Sequence, residues 1–278
     1  MRYTFLFLTL LGMLRASQIT PLDAVYLAKD AYLVPKNFKA KYEKPKNKLF
    51  AKSYNGVEYF IIKERHRVLV TFRGTATKRN ITTDAHIKHV KFLSVEGSLV
   101  HVGFYSVALN SYEVVKNIAT KDDNIIISGH SLGGGVGLLL GAILYKKGYK
   151  NVEVYSFGMP PIGNDVFVKS IEKLQHQRYV NEFDIVPKIN KPIANKIKKI
   201  VVYIKDNGFL SKSKNIASLA FNKAFTELSN IPYEFIHQSK AIVLTKPIPY
   251  KHSKNFFKNL FNKLVASHKI DSYVIVLS

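Results

Sequence analysis

One run of residues in the middle of the chain limits its fold more than any other feature. Residues 124–128 form a short β-branched segment that is typical of a buried parallel strand, and residues 132–146 have the pattern of an apolar helix. Between them lies Gly-His-Ser-Leu-Gly, residues 129–133, which matches G-x-S-x-G. In this position the pattern predicts a sharp turn, with Gly129, His130 and Gly133 around an exposed Ser131 hydroxyl. The alternative is a glycine-rich turn that only caps the helix.

The segments around this run alternate between strand-like and helix-like patterns. Helices are predicted over residues 21–33 and 104–118, and strands over 58–62, 68–72, 152–157, 177–183 and 241–245. A Lys- and Pro-rich stretch over residues 35–48 is typical of a loop. The alternation predicts an α/β fold with a mostly parallel central sheet and helices on both faces.

The C-terminal third is harder to interpret. A strand is predicted over residues 200–204, and amphipathic helices over 213–228 and 255–265 indicate a helical insert near the C-terminus, within residues 188–267. Residues 272–277 fit a helix and a strand equally well.

Ser131 needs a base, and that base needs an acid to orient it. In the strand-turn-helix architecture these follow the serine in the order acid, then histidine. Asp184 is the downstream aspartate that follows a predicted strand and precedes a loop ending in proline, and Glu182 is the reserve acid. Three histidines follow Asp184, and chain order alone does not separate them: His237, His252 and His268.

Several segments together resemble the class 3 lipases, the fungal-type triacylglycerol lipases of the α/β-hydrolase fold. In chain order they are VTFRGTATKRNITTD (70–84), HVGF (101–104), ISGHSLGG (127–134), FGMPPIGN (157–164), NEFDIVP (181–187) and HKIDSY (268–273). The resemblance is clearest over residues 23–184. It implies a serine hydrolase that cleaves carboxylic esters of lipids and needs no metal or organic cofactor.

The resemblance also assigns roles to individual residues. It implies that His268 is the base, with His252 and His237 as remaining candidates. The backbone N–H groups of Thr75 and Leu132 are then the expected oxyanion donors. His101 and His130 lie in matching motifs, where we expect them to hold loops together.

Departures from the family pattern leave the substrate open. Ile81 stands where relatives often place Trp, and residues 78–84 are otherwise polar. We therefore expect a triacylglycerol lipase or esterase, with a phospholipase acting on anionic membranes as the alternative. A non-catalytic basic protein with a hydrolase fold is the competing class.

Charge and cysteine content narrow the range of partners. Lys and Arg number 42 against 19 acidic residues, for a net charge of +23. The excess is mostly Lys, which favours solubility and attraction to anionic surfaces over nucleic-acid recognition. We expect a lipid or ester substrate, peripheral contact with anionic membrane surfaces and no nucleic acid, while no oligomeric state follows. The absence of Cys excludes disulfides, thiol nucleophiles and Cys-ligated zinc.

The N-terminus has the pattern of a secretory signal. Residues 1–17 begin Met-Arg, continue with a short apolar run and end in small residues. The pattern predicts a signal peptide, a secreted or periplasmic protein and a single domain over residues 18–278. An uncleaved anchor and a buried N-terminal helix are the alternatives for this segment.

Overall fold

The computed structural model describes residues 19–74, 89–188, 235–246, 248–250, 262–264 and 266–278. The strands in these ranges are β1 (Lys48–Tyr54), β2 (Val57–Lys63), β3 (Arg67–Phe72), β4 (His89–Lys91), β5 (Leu99–His101), β6 (Asn124–His130), β7 (Asn151–Phe157), β8 (Gln175–Asn181) and β9 (Ala241–Leu244). The helices are α1 (Pro21–Asp30), α2 (Pro35–Tyr42), α3 (Val102–Val115), α4 (Leu132–Lys146), α5 (Asp165–Ser170) and α6 (Ile270–Leu277), with a 3₁₀ turn at Val186–Lys188.

A mostly parallel sheet forms the centre of the described region. Within that region its strand order is β1-β2-β3-β6-β7-β8-β9, and β4 pairs with β5 in a separate two-stranded sheet. The β1–β2 and β2–β3 pairs are antiparallel, whereas the pairs from β3 to β9 are parallel. The carboxyl ends of β3, β6, β7 and β8 therefore meet at one edge, where open α/β sheets bind their ligands.

Helices cover both faces of this sheet, as the sequence predicts. Helices α3 and α4 pack on one face, in a core that includes Phe72 and Ile127. On the other face, α1 and α6 pack around Phe157 and Tyr179. The described residues hold no helix with the length and hydropathy needed to cross a membrane.

Helix α2 and strands β1, β4 and β5 were not predicted from the sequence. Residues 35–48 were predicted as a loop, but they contain α2, which begins with Pro35 at a position that favours helix initiation. Phe38 is the buried residue of α2 and stacks on Phe60 with ring centroids 3.9 Å apart. The prediction was wrong because Phe38 and Tyr42, two aromatic residues among lysines, make too short a pattern to indicate a helical period. Strand β1, at the sheet edge, was also missed.

At the C-terminus, residues 270–277 are helical, which decides the ambiguity in favour of a helix. The predicted signal peptide, the strand at 200–204, the helix at 213–228 and most of the helix at 255–265 lie outside the described residues. The single-domain boundary and the helical insert stay predictions.

Candidate active site

Ser131 lies at the turn between β6 and α4 in a strained backbone conformation. Its φ is 56° and its ψ is −126°, and its N–H donates to the Phe157 carbonyl at 2.9 Å. The flanking glycines allow the backbone to pack this closely. A Cβ at Gly129 would lie 2.3 Å from the Gly133 oxygen, and a Cβ at Gly133 would lie 2.3 Å from the Phe72 oxygen. Each glycine thus fills the place that the sequence pattern predicted.

His268 and Asp184 lie in line with the Ser131 hydroxyl. Ser131 Oγ is 2.9 Å from His268 Nε2, and His268 Nδ1 is 2.9 and 3.0 Å from the two Asp184 carboxylate oxygens. Because a carboxylate only accepts, Nδ1 carries the proton and Nε2 is left to accept from Ser131. The structure therefore brings together the three residues predicted to act in catalysis.

Asp184 is fully buried and has partners besides His268. The Val186 N–H donates to Oδ1 at 3.0 Å, and the Tyr273 hydroxyl donates to Oδ2 at 2.5 Å. Burial, together with the Asp184 carboxylate, raises the pKa of Tyr273 well above its usual value. A buried carboxylate is stable only when donors surround it, and this one has three neighbours that supply them.

Gly158 supplies the space for this arrangement. It has φ +61°, and a Cβ there would lie 2.7 Å from Asp184 Oδ2, 2.9 Å from the Tyr273 hydroxyl and 3.3 Å from His268 Nδ1. Sequence reasoning did not single out Gly158 or Tyr273. Both belong to motif segments quoted above, so position within a motif was the available signal.

His130 links the turn to the histidine segment. Its Nε2 lies 2.6 Å from the His268 carbonyl oxygen, and its Nδ1 lies 2.8 Å from the Tyr32 hydroxyl. Burial first, and the nearby His268 second, lower the pKa of His130 well below its usual value. His130 therefore stays neutral and holds segments together, as the sequence analysis expected. Tyr32 carried no sequence signal.

The structure describes only one of the two predicted oxyanion residues. Leu132 is the first residue of α4, where N–H groups lack partners within the helix and the helix dipole favours negative charge. Thr75 lies outside the described residues, directly after Gly74. The pairing of these two N–H groups stays a prediction.

The remaining candidate residues either make no contact with the Asp184 carboxylate or lie outside the described ranges. His237 Nε2 donates to the Pro187 carbonyl at 2.7 Å, and burial lowers the pKa of His237 to about 3. Glu182 is exposed, and His252 lies outside the described ranges. His101 Nδ1 accepts from the Phe104 N–H at the start of α3, and burial lowers the pKa of His101 to about 4.

A small cavity lies beside Leu132. Its lining is mostly apolar and comes from the β1–β2 turn and from helices α3 and α4: Asn55, Val57, Gly103, Phe104, Val107, Leu132 and Val136. In the part of the chain that the structure describes, no three His, Cys, Asp or Glu side chains form a group that could hold a metal ion.

Comparisons with known proteins identify relatives of this chain. The family model described as Lipase (class 3) matches residues 69–193. The chain is similar to a lipase of Rhizopus niveus, with 34% identity over 138 residues, covering 44% of this chain and 34% of that protein. It is also similar to secreted mono- and diacylglycerol lipase 1 of Fusarium solani, with 28% identity over 163 residues, covering 56% of this chain and 49% of that protein. The chain thus spans about a third of the Rhizopus niveus lipase.

A solved structure supports the fold over a longer range. A mutant form of MDLA from Penicillium cyclopium aligns with a TM-score of 0.52 and 20% identity, covering 87% of this chain and 84% of that one. This likeness shows a shared α/β-hydrolase fold.

Proposed function

We propose that the chain is a serine hydrolase that cleaves carboxylic ester bonds of lipids, because the class 3 lipase model matches residues 69–193 and the Rhizopus niveus lipase is similar in sequence. The observation that carries this proposal is the 2.9 Å contact between Ser131 Oγ and His268 Nε2, at a serine whose φ is 56°. A strained turn that presents a hydroxyl to an oriented imidazole has a purpose in nucleophilic catalysis and none in a binding module.

The first half of the reaction forms an acyl-enzyme. His268 Nε2 removes the Ser131 proton as Oγ attacks the ester carbonyl, and the Asp184 carboxylate stabilises the resulting imidazolium. The negative charge that develops on the carbonyl oxygen is stabilised by the N–H groups of Leu132 and Thr75. His268 then donates its proton to the departing alcohol oxygen, and the C–O bond of the ester breaks.

The second half releases the acid. A water molecule enters, His268 removes a proton from it, and the water oxygen attacks the acyl carbonyl. Collapse of the second tetrahedral intermediate returns the proton to Ser131 Oγ and frees the carboxylic acid. The Asp184 contacts with Val186 and Tyr273 keep the carboxylate fixed through both halves.

Neutral acylglycerols are the substrate class that we favour. The Rhizopus niveus relative is a lipase, and the Fusarium solani relative is a mono- and diacylglycerol lipase.

Charge supports the second candidate, a phospholipase that acts on anionic membranes. The net charge of +23 attracts the protein to anionic lipid headgroups. We also propose that the protein is secreted, on the basis of the signal-like residues 1–17 and the secreted relative.

A substrate panel tests both candidates. Hydrolysis is measured on p-nitrophenyl esters of increasing chain length, on mono-, di- and triacylglycerols and on anionic and zwitterionic phospholipids, beside a Ser131→Ala control. Acylglycerol turnover that disappears in Ser131→Ala supports the acylglycerol lipase. Turnover of anionic phospholipids that exceeds turnover of acylglycerols supports the phospholipase. Equal turnover by wild type and Ser131→Ala contradicts both.

A further inference from the structure

A second chain of hydrogen bonds runs beside the Ser131–His268–Asp184 line. The Tyr32 hydroxyl lies 2.8 Å from His130 Nδ1, and His130 Nε2 lies 2.6 Å from the backbone carbonyl of His268. The rings of His130 and His268 are 5.0 Å apart between centroids. His130 thus contacts the backbone of the base, whereas Ser131, its neighbour in sequence, contacts the ring of the same residue.

The acceptors fix the direction of every bond in this chain. A carbonyl oxygen only accepts, so His130 Nε2 carries the proton and donates to His268. His130 is neutral because it is buried, so its Nδ1 has no proton and accepts from the Tyr32 O–H. A ring with one donor and one acceptor can satisfy both neighbours in this orientation alone.

Tyr32 also contacts the strand end that leads to Thr75. The Tyr32 oxygen packs directly against the Gly74 backbone, since a Cβ at Gly74 would lie 2.1 Å from that oxygen. Tyr32 is itself anchored just after α1, where its N–H donates to the Lys29 carbonyl at 3.0 Å.

We propose that Tyr32, acting through His130, is a positioning residue that fixes the backbone of His268 relative to Ser131. The proposal rests on the proposed function, because the distance that it fixes is that between the base and the nucleophile. Tyr32 does not touch the reacting atoms. Its hydroxyl donates one hydrogen bond to His130 and packs against the Gly74 backbone.

The geometry explains why such a link is useful. Ser131 and His268 are separated by 137 residues, and Tyr32 and His130 by 98, so the site depends on distant segments staying in register. Displacement of a catalytic group by about 1 Å can reduce the rate on the order of 100-fold. One hydroxyl that touches two of these segments limits such displacement.

The primary test is Tyr32→Phe, which removes the hydroxyl and keeps the ring. We expect kcat on a soluble p-nitrophenyl ester to fall about 10-fold with KM unchanged within about 2-fold, because the reacting groups lose alignment while substrate contacts remain. The matched control is Tyr59→Phe, which removes a hydroxyl that donates to Asn110 Oδ1 at 2.8 Å in the core. Both variants lose a hydrogen bond, but only Tyr32→Phe should lose kcat.

A double-mutant cycle separates positioning from general loss of stability. If Tyr32 acts through His130, the kcat of Tyr32→Phe combined with His130→Gln should equal that of His130→Gln alone. Additive losses would overturn the proposal, as would a Tyr32→Phe kcat equal to that of Tyr59→Phe. Should wild type show no Ser131-dependent hydrolysis, the proposed function fails as well, whereas normal wild-type turnover with an unaffected Tyr32→Phe overturns this inference alone.

Discussion

The hydroxyl of Tyr273 lies 2.5 Å from Asp184 Oδ2, so the last helix of the chain supplies a donor to the carboxylate that orients His268. The Asn181 side-chain amide reinforces this contact by donating to the Ser267 carbonyl at 2.9 Å and to Ser272 Oγ at 2.7 Å. Residues on both sides of His268 are therefore tied to the end of β8. These contacts hold the segment that carries the imidazole, and Asp184 contacts the ring itself.

Replacement of Gly158 tests how tightly this group is packed. Gly158→Ala should reduce kcat by at least about 100-fold, because the new Cβ would meet Asp184 Oδ2 at 2.7 Å and displace the carboxylate. Gly148→Ala is the matched control: Gly148 also has positive φ, at +81°, but a Cβ there meets no atom within 4 Å. The control should lose about 1–2 kcal/mol of unfolding free energy with kcat unchanged. Equal kcat values in the two variants would contradict this prediction.

Removal of the nucleophile gives the simplest test of the mechanism. Ser131→Ala should remain folded and lose on the order of 10⁴- to 10⁶-fold in kcat on p-nitrophenyl esters. Circular dichroism and urea unfolding check the fold, and residual hydrolysis within about 10-fold of wild type would mean that Ser131 is not the nucleophile.

The choice of base among the histidines is open to a direct comparison. His268→Ala should be as inactive as Ser131→Ala, because residues that act as one unit lose function together. His237→Ala should keep its kcat, since its Nε2 donates to the Pro187 carbonyl and its Nδ1 has no partner among the described atoms. His252→Ala completes the series. An inactive His252→Ala beside an active His268→Ala would refute the assignment of the base.

Stability should depend on pH through His176, which is not part of the Ser131–His268–Asp184 group. His176 donates from Nδ1 to Gln238 and accepts at Nε2 from Ser156, and burial lowers the pKa of His176 from 6.5 to about 4. The unfolded chain therefore binds the proton first as pH falls, so the free energy of unfolding is highest above pH 6.5 and declines between pH 6.5 and 4. One such histidine contributes up to about 1.4 kcal/mol per pH unit.

Urea unfolding at pH 7, 6 and 5 measures this slope in wild type and in His176→Gln. The variant should have a shallower dependence on pH, whatever its stability at pH 7. An unchanged slope would show that His176 does not take up the proton.

Attraction to anionic lipid is tested with vesicles. Binding should increase with the anionic lipid content and decrease as salt rises from about 0.05 to 0.5 M, because salt screens the lysine charges. Sedimentation with zwitterionic and anionic vesicles measures both trends. Binding that changes with neither anionic lipid content nor salt would contradict the predicted attraction to anionic membranes.

The strand, turn and helix around Ser131 could be predicted from the sequence because their information is local. The predicted helix over residues 132–146 agrees with α4 at both ends. Helix α2 was missed because its packing depends on two aromatic residues, Phe38 and Tyr42, and Phe38 contacts Phe60 across the fold.

Part of the site could also be predicted, because its sequence signals are local. Ser131 and Asp184 follow strands and can be picked out by position, whereas chain order left three histidines equivalent. Tyr32 contacts a residue 98 positions away, and no local pattern marks it. Tyr273, whose partner lies 89 positions away, stands in a quoted motif, but the motif alone did not reveal its contact with Asp184. Their assigned roles, like those of the three predicted catalytic residues, stay predictions until the variants are measured.

The position of His268 on the chain has a consequence for the order of events during synthesis. The nucleophile turn and Asp184 can form once residues up to 188 have emerged, but the base follows 84 residues after Asp184. Helix α6, which carries Tyr273, must then pack against α1 near the other end of the chain, where Asp271 pairs with Lys29. A growing polypeptide would therefore hold Ser131 without its predicted base until residues 268–277 dock against α1.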